Sequence, residues 1–284
     1  MAERFLLDRI LEPGSLSVHF QAVLEVHTQR PRPHYLEALI RGPKGTTAEA
    51  PAILFEYARK KNRESCVDRA CVEAILDAAA SSLPTDVALG INVHASSLAM
   101  DAGFVDFLAC ALEARSIRAT RLVIEIVEHA PPWDVLGFRT ALERLRALGA
   151  LIALDDVGLG HSNYMMMLEC RPDYFKVDRH FVSGCHKDFH RRAVLGSVAQ
   201  LARPFGARVV AEGVEEPADM VTLKRCGITL VQGYLFGAPA PAAETLARVA
   251  EAGIRAVQGA ERRRSSPARA WFEEPAGARS GSRP

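Results

Sequence analysis

Short apolar runs, most of them β-branched, recur along the chain at Val18 to His27, Tyr35 to Arg41, Val87 to Asn92, Leu122 to Val127, Leu151 to Asp155, Tyr174 to Val177, Arg208 to Glu212 and Thr229 to Gln232. Between most of them lie stretches with a helical period. From Val135 to Leu148, for example, Val135, Phe138, Leu142, Leu145 and Leu148 fall on one stripe. Alternation of this kind predicts a parallel sheet covered by helices, and eight strands close into a (β/α)8 barrel. The first connection departs from the pattern. Only about seven residues, Thr28 to His34 with Pro31 and Pro33 among them, separate the first two runs, whereas a parallel crossover needs a dozen or more. This pair is therefore expected to be antiparallel, giving an α/β barrel of the modified TIM type with the first strand reversed. Residues 43 to 86 are long enough for two helices, placed around Pro51 to Lys61 and Arg63 to Ser81, and a last helix is expected from about Ala242 to Val257.

Composition narrows the setting. The chain has 284 residues, 49% of them hydrophobic, with 35 basic against 34 acidic side chains, which suits one full core. Residues 1–259 are expected to form that single barrel and residues 260–284 a disordered tail, because the final stretch combines Arg, Pro, Ser and Gly without an apolar period. Six arginines and three glutamates lie in that tail; setting it aside leaves 29 basic against 31 acidic side chains, so a basic surface for DNA or RNA is not indicated. Asp8, Arg9 and Glu12 interrupt the only early apolar stretch, so neither a secretory signal nor a membrane-spanning helix is expected. Six cysteines without a CxxC pair or the density of a disulfide scaffold point to a reducing, cytoplasmic compartment.

What ends each strand carries the chemistry. Leu122-Val123-Ile124 runs into Glu125 and then Glu128, Leu151 to Leu154 into Asp155-Asp156, Phe175-Lys176-Val177 into Asp178, and Val209-Val210-Ala211 into Glu212. Asn92 and Gln232 close two further runs, and Glu37 lies inside the second. A carboxylate beside buried apolar residues is costly unless something positive compensates for its lost hydration. In a parallel barrel these positions converge on the C-terminal rim. Glu37, Glu125, Asp155, Asp156, Glu212 and Glu215 would then share one mouth with a single lysine, Lys176. Oxygen-only ligands suit Mg²⁺, Mn²⁺ or Ca²⁺. Asp155 can bridge two ions about 3.5–4 Å apart while Asp156 reaches one, an arrangement that activates water and holds phosphate oxygens for in-line displacement at phosphorus.

These residues closely resemble the EAL domain phosphodiesterases that hydrolyse cyclic di-GMP. The naming tripeptide stands at Glu37-Ala38-Leu39, followed by Ile40-Arg41; further matching segments are Ile91-Asn92, Glu125-Ile126-Val127-Glu128, Asp155 to Gly160, Lys176-Val177-Asp178-Arg179, Ala211 to Glu215 and Gln232 to Gly237. They occur in the family's order over about residues 15 to 245. The resemblance implies a barrel with one antiparallel strand and hydrolysis of cyclic di-GMP to the linear dinucleotide pGpG. It implies two divalent cations, Mg²⁺ or Mn²⁺ with Ca²⁺ inhibitory, Glu37, Asn92, Glu125 and Asp155 holding one and Asp155, Asp156 and Glu212 the other. Lys176 matches the lysine that orients the attacking water, and Glu128 the glutamate that steadies the loop after the two aspartates. Gln21, Leu39, Arg41 and Glu215 match substrate-contacting positions, with Gln232 on the same rim and Asp178 a further candidate. A homodimer is also implied, and regulation is expected to come either from an unseen partner or from a change in dimerisation. Val157 stands where the family commonly has phenylalanine, and His94 where serine is common.

Alternative readings are a catalytically silent receptor or docking module of the same fold, and a metal-dependent barrel hydrolase acting on another phosphodiester. Among single residues, His94 is read as a loop residue and Cys66 and Cys71 as two separate buried thiols. Asp178 is read as pairing with Arg179 or capping the following helix as readily as touching substrate. Met165-Met166-Met167 cannot all face one way on a helix, so at least one is expected to be exposed or to meet a partner chain.

Overall fold

The computed structural model describes residues 2–26, 32–127, 134–159 and 164–251. Helices α1 (Ala2–Leu11), α2 (Pro51–Lys60), α3 (Glu64–Ser82), α4 (Ala95–Met100), α5 (Phe104–Ala114), α6 (Val135–Ala147), α7 (Tyr164–Cys170), α8 (Arg179–Val182), α9 (Phe189–Ala202) and α10 (Pro217–Arg225) surround eight strands that follow one another in chain order around a closed barrel. β1 (Ser17–Glu25) is antiparallel to both β2 (Arg32–Arg41) and β8 (Leu230–Val231). β2, β3 (Leu89–His94), β4 (Leu122–Val127), β5 (Leu151–Val157), β6 (Tyr174–Val177), β7 (Arg208–Ala211) and β8 pair in parallel. The reversed first strand inferred from the short connection is present. Residues 242–251 form the described part of the expected last helix; its remainder and the tail from 260 to 284 lie outside the described residues. α1 is a helix that the broken apolar pattern did not predict, and its Ile10 is buried in the main core.

Local chemistry sets several helix boundaries. Pro51 and Pro217 open α2 and α10, where a missing backbone N–H costs nothing. Asp134, Asp178 and Asp188 cap α6, α8 and α9 by accepting hydrogen bonds from first-turn N–H groups.

Strand residues alternate between two buried environments, as a period of two requires. One set, including Leu36, Ala38, Ile91, Ile124, Ile152, Leu154, Phe175 and Val209, joins the core beneath the helices. The other points to the barrel axis, where Val23, Tyr35, Val123, Ala153, Tyr174, Val210 and Leu230 form a separate buried cluster. Two residues nearer the mouth on each strand, the same inward set continues as Gln21, Glu37, Asn92, Glu125, Asp155, Lys176, Glu212 and Gln232. An apolar floor and a polar rim thus arise from one alternation.

Candidate active site

Lys176 stands at the centre of the rim, almost fully buried. Its Nζ lies 3.3 Å from Glu37 Oε2, 3.2 Å from Asp155 Oδ1 and 2.7 Å from Glu212 Oε1, and it also bonds Glu125 Oε2. Asn92 Nδ2 donates to Glu37 Oε1 at 2.9 Å, and Gln232 Nε2 donates to Glu37 Oε2 at 2.7 Å. Gln232 also reaches Gln21 Oε1 at 3.2 Å, and Gln21 donates to the carbonyl of Gly237.

Adjacent aspartates on a regular strand would face opposite sides of the sheet. Here the register between β5 and β6 steps from Leu154↔Phe175 to Val157↔Val177, which leaves one extra residue on β5. Asp156 takes the left-handed conformation at φ 51°, a region Asp visits more readily than most residues. The result brings single oxygen atoms of Asp155, Asp156 and Glu212 within 4.8 Å of one another.

The charge balance is unequal. Burial, Asp155 and Asp178 push Asp156 up to about 6. Glu212 is pushed up to about 8 by burial, which Lys176 opposes and Asp155 and Glu37 reinforce. Burial and then Glu37 hold Glu125 well above the usual carboxylate range. Burial would also raise Glu37, but Lys176 and the hydrogen bonds from Asn92 and Gln232 outweigh it and keep it low. One lysine ionises part of the cluster only. The donor set fits a hard divalent cation: three oxygens converge with no sulfur or nitrogen donor among them, and Glu125 Oε1 is a buried oxygen without a hydrogen-bond partner.

A pocket of about 240 Å³ opens above the cluster, lined by Gln21, Glu37, Leu39, Asp155, Lys176, Asp178, Arg179, Glu212, Gly213, Glu215, Gln232, Gly233 and Tyr234. Its far wall depends on close backbone contact: a side chain on Gly233 would overlap the backbone of Val214, whose N–H donates to the Gln232 carbonyl at 2.9 Å. Asp178 caps α8, as one of its two readings had it, and it also lines the pocket.

Several expectations are corrected. Arg41 is not among the pocket-lining residues, and its guanidinium bonds the carbonyl of its own neighbour Ile40. Glu215 is at the mouth but faces a second cation, Arg179, at 3.8 Å. His94 is not a loop residue; it ends β3, buried, with its backbone N–H and Nδ1 donating to or sharing a proton with Asp68 on α3 at 3.0 and 2.9 Å. Cys66 is exposed while Cys71 is buried, because only the latter faces the core from α3. Met165 is exposed and Met166 and Met167 are buried, as the helical period requires. Glu128 lies outside the described residues. Tyr234 and Gly213 line the pocket without having been singled out as site residues; both sit inside matched segments, which was the available signal.

The sequence profile of the EAL domain matches residues 6–239. The chain belongs to the EAL domain family. Among relatives, the cyclic di-GMP phosphodiesterase NbdA of Pseudomonas aeruginosa is 30% identical over 248 residues, covering 84% of this chain and 30% of NbdA. The bifunctional diguanylate cyclase/cyclic di-GMP phosphodiesterase MucR of the same species is 33% identical over 162 residues, covering 57% of this chain and 24% of MucR. The chain therefore spans about a quarter to a third of the length of these curated relatives. Among solved structures, the PaMucR phosphodiesterase in complex with c-di-GMP superimposes with a TM-score of 0.70 at 27% identity, covering 81% of this chain and 99% of that one. The manganese/cy-diGMP complex of Klebsiella pneumoniae BlrP1 gives 0.69 at 30% identity, covering 81% and 57%. EAL proteins thus share this mixed barrel, and among the described residues of this one no helix is long and apolar enough to cross a membrane.

Proposed function

We propose that this EAL domain is a divalent-cation-dependent phosphodiesterase that hydrolyses cyclic di-GMP to linear pGpG. The observation that carries this reading is the oxygen-only convergence of Asp155, Asp156 and Glu212 at the base of a pocket rimmed by the other matched residues. Two Mg²⁺ or Mn²⁺ ions, when bound, supply activation of water and neutralisation of phosphate charge. Glu37, Asn92, Glu125 and Asp155 would hold one ion, and Asp155, Asp156 and Glu212 the other. Lys176 Nζ, fixed by four carboxylates, orients the attacking water and offsets negative charge as the phosphorus–oxygen bond of the ring breaks. Asp178 and Glu215 offer carboxylates to the N–H edge of a guanine, Leu39 and Tyr234 give apolar surface, and the Gln21–Gln232 pair fixes the rim beside Glu37. Relatives and neighbours named for cyclic di-GMP support that substrate.

Leu136 on α6 and Tyr164, Met165 and Leu168 on α7 are exposed apolar side chains on neighbouring helices, joined by the Arg139–Glu169 ion pair, and they support a homodimer through this face. The free cysteines fit a cytoplasmic setting.

Purified protein incubated with cyclic di-GMP and Mg²⁺ or Mn²⁺ should yield pGpG on chromatography. Ca²⁺ should suppress turnover, and Glu37→Ala should abolish it with an unchanged circular dichroism spectrum. An intact ring after prolonged incubation would refute the assignment, and nucleotide binding without turnover on the same sample would identify a receptor instead.

A further inference from the structure

Lys176 and Arg179 are the cations that line the pocket, and they are held differently. Lys176 is buried and engaged by four carboxylates. Arg179, the first residue of α8, stands at the mouth with its side chain 66% exposed. Its Nη2 lies 3.8 Å from Oε1 of Glu215, itself 44% exposed, which is too far for a hydrogen bond. Among the described residues neither side chain hydrogen-bonds within the chain, so the guanidinium fork and the carboxylate both keep their edges for a third molecule. An exposed pair this loose adds little to stability.

The backbone places the pair. Gly213, in the turn after β7, has φ 64°, and a Cβ there would stand 2.3 Å from Cβ of Arg179. The bare Gly213 lets the stem of Arg179 lie against the chain two residues before Glu215. A cation that follows β6 and an anion that follows β7 thus stand side by side at the rim. The other lining carboxylates have partners of their own: Glu37, Asp155 and Glu212 meet Lys176, and Asp178 accepts from the His180 N–H at 2.7 Å in capping α8.

A donor fork beside acceptor oxygens matches one nucleobase. Guanine presents the acceptors O6 and N7, to which arginine binds in bidentate fashion, and next to O6 lie its N1–H and N2–H donors, which suit a carboxylate. Adenine carries an amino group where guanine has O6 and a bare N1 where guanine has N1–H, so the same pair would set donor against donor and acceptor against acceptor. We propose that Arg179 selects guanine over adenine, its guanidinium bonding O6 and N7 while Glu215 takes the N–H edge. The assignment rests on the cyclic di-GMP reading given above and extends it to the residue that sets base specificity.

The test is the Kd of the full chain for cyclic di-GMP and for its adenine counterpart, cyclic di-AMP, in the parent, Arg179→Ala and Arg179→Lys. Calorimetry, with competition for the weaker ligand, is run with Ca²⁺ as the cation so that neither ring is cut. A bidentate contact to guanine is worth a factor of about 5–150. Arg179→Ala should weaken cyclic di-GMP by that factor and leave cyclic di-AMP unchanged or bound more tightly. Arg179→Lys keeps the charge and loses the fork, so its preference for guanine should stay well below the parent's. Equal weakening of both nucleotides in Arg179→Ala, recovered in Arg179→Lys, would mark a contact to phosphate and overturn the assignment, as would a parent-like preference in Arg179→Ala. In either case the cyclic di-GMP reading stands. A parent chain that binds neither nucleotide overturns both.

Discussion

Replacing Lys176 by methionine should destabilise the protein most when no divalent cation is present. The side chain is 1% exposed and its Nζ contacts four carboxylates, two of them at 3.2 and 3.3 Å and one at 2.7 Å. Methionine keeps most of the volume and removes the charge, so carboxylates that shared one cation are left facing each other. Removing one partner of a buried pair costs about 3–5 kcal/mol. At about 2 °C per kcal/mol, the slope for long chains, the Tm in chelator should fall by roughly 6–10 °C. A cation that binds only the folded form restores about 2.7 kcal/mol at a hundred times its Kd, so Mn²⁺ should recover between about half and nine-tenths of the loss. Thermal unfolding of parent and variant in chelator and in Mn²⁺ reads both effects. The reasoning is refuted if Lys176→Met melts within 2 °C of the parent in chelator, or if Mn²⁺ raises the two Tm values equally.

Three further outcomes follow from the same geometry. Asp156 at about 6 and Glu212 at about 8 both lie above their unfolded values near 4, so folding takes up protons between those limits; stability in chelator should therefore decline as pH rises from about 5 to 8, and saturating Mn²⁺ should flatten or invert the slope in denaturant titrations. Asp68→Ala removes the acceptor shared by the His94 backbone N–H, the His94 ring and Ser97 Oγ, and should lower stability by about 2–4 kcal/mol in urea unfolding, with Asp68→Asn partly restoring it. Leu168→Glu, on the exposed face of α7, should reduce the mass seen by light scattering to that of one chain without lowering Tm.

The eight strands, the reversed first one and nearly every rim residue were legible because one rule, inward every second residue, governs both floor and mouth. Glu125 and Val123, or Lys176 and Tyr174, differ in chemistry but share a direction, so the position of one locates the other. What could not be read depends on chain geometry between elements. Nothing in Asp155-Asp156 announces the extra residue that turns both toward the mouth. Asp68 looks like any polar position on a helix until β3 lies beside it and His94 becomes its partner. Arg41 shares the parity of Glu37 and Leu39, yet it stands at the very end of β2 with its guanidinium on the Ile40 carbonyl, a choice of partner that no sequence pattern announces.

The closed floor has a consequence for traffic. Val23, Tyr35, Val123, Ala153, Tyr174, Val210 and Leu230 stopper the barrel below the rim, so the pocket is a blind well and not a tunnel. Whatever enters must back out through the doorway it came in by. A molecule that lingers there bars the next arrival.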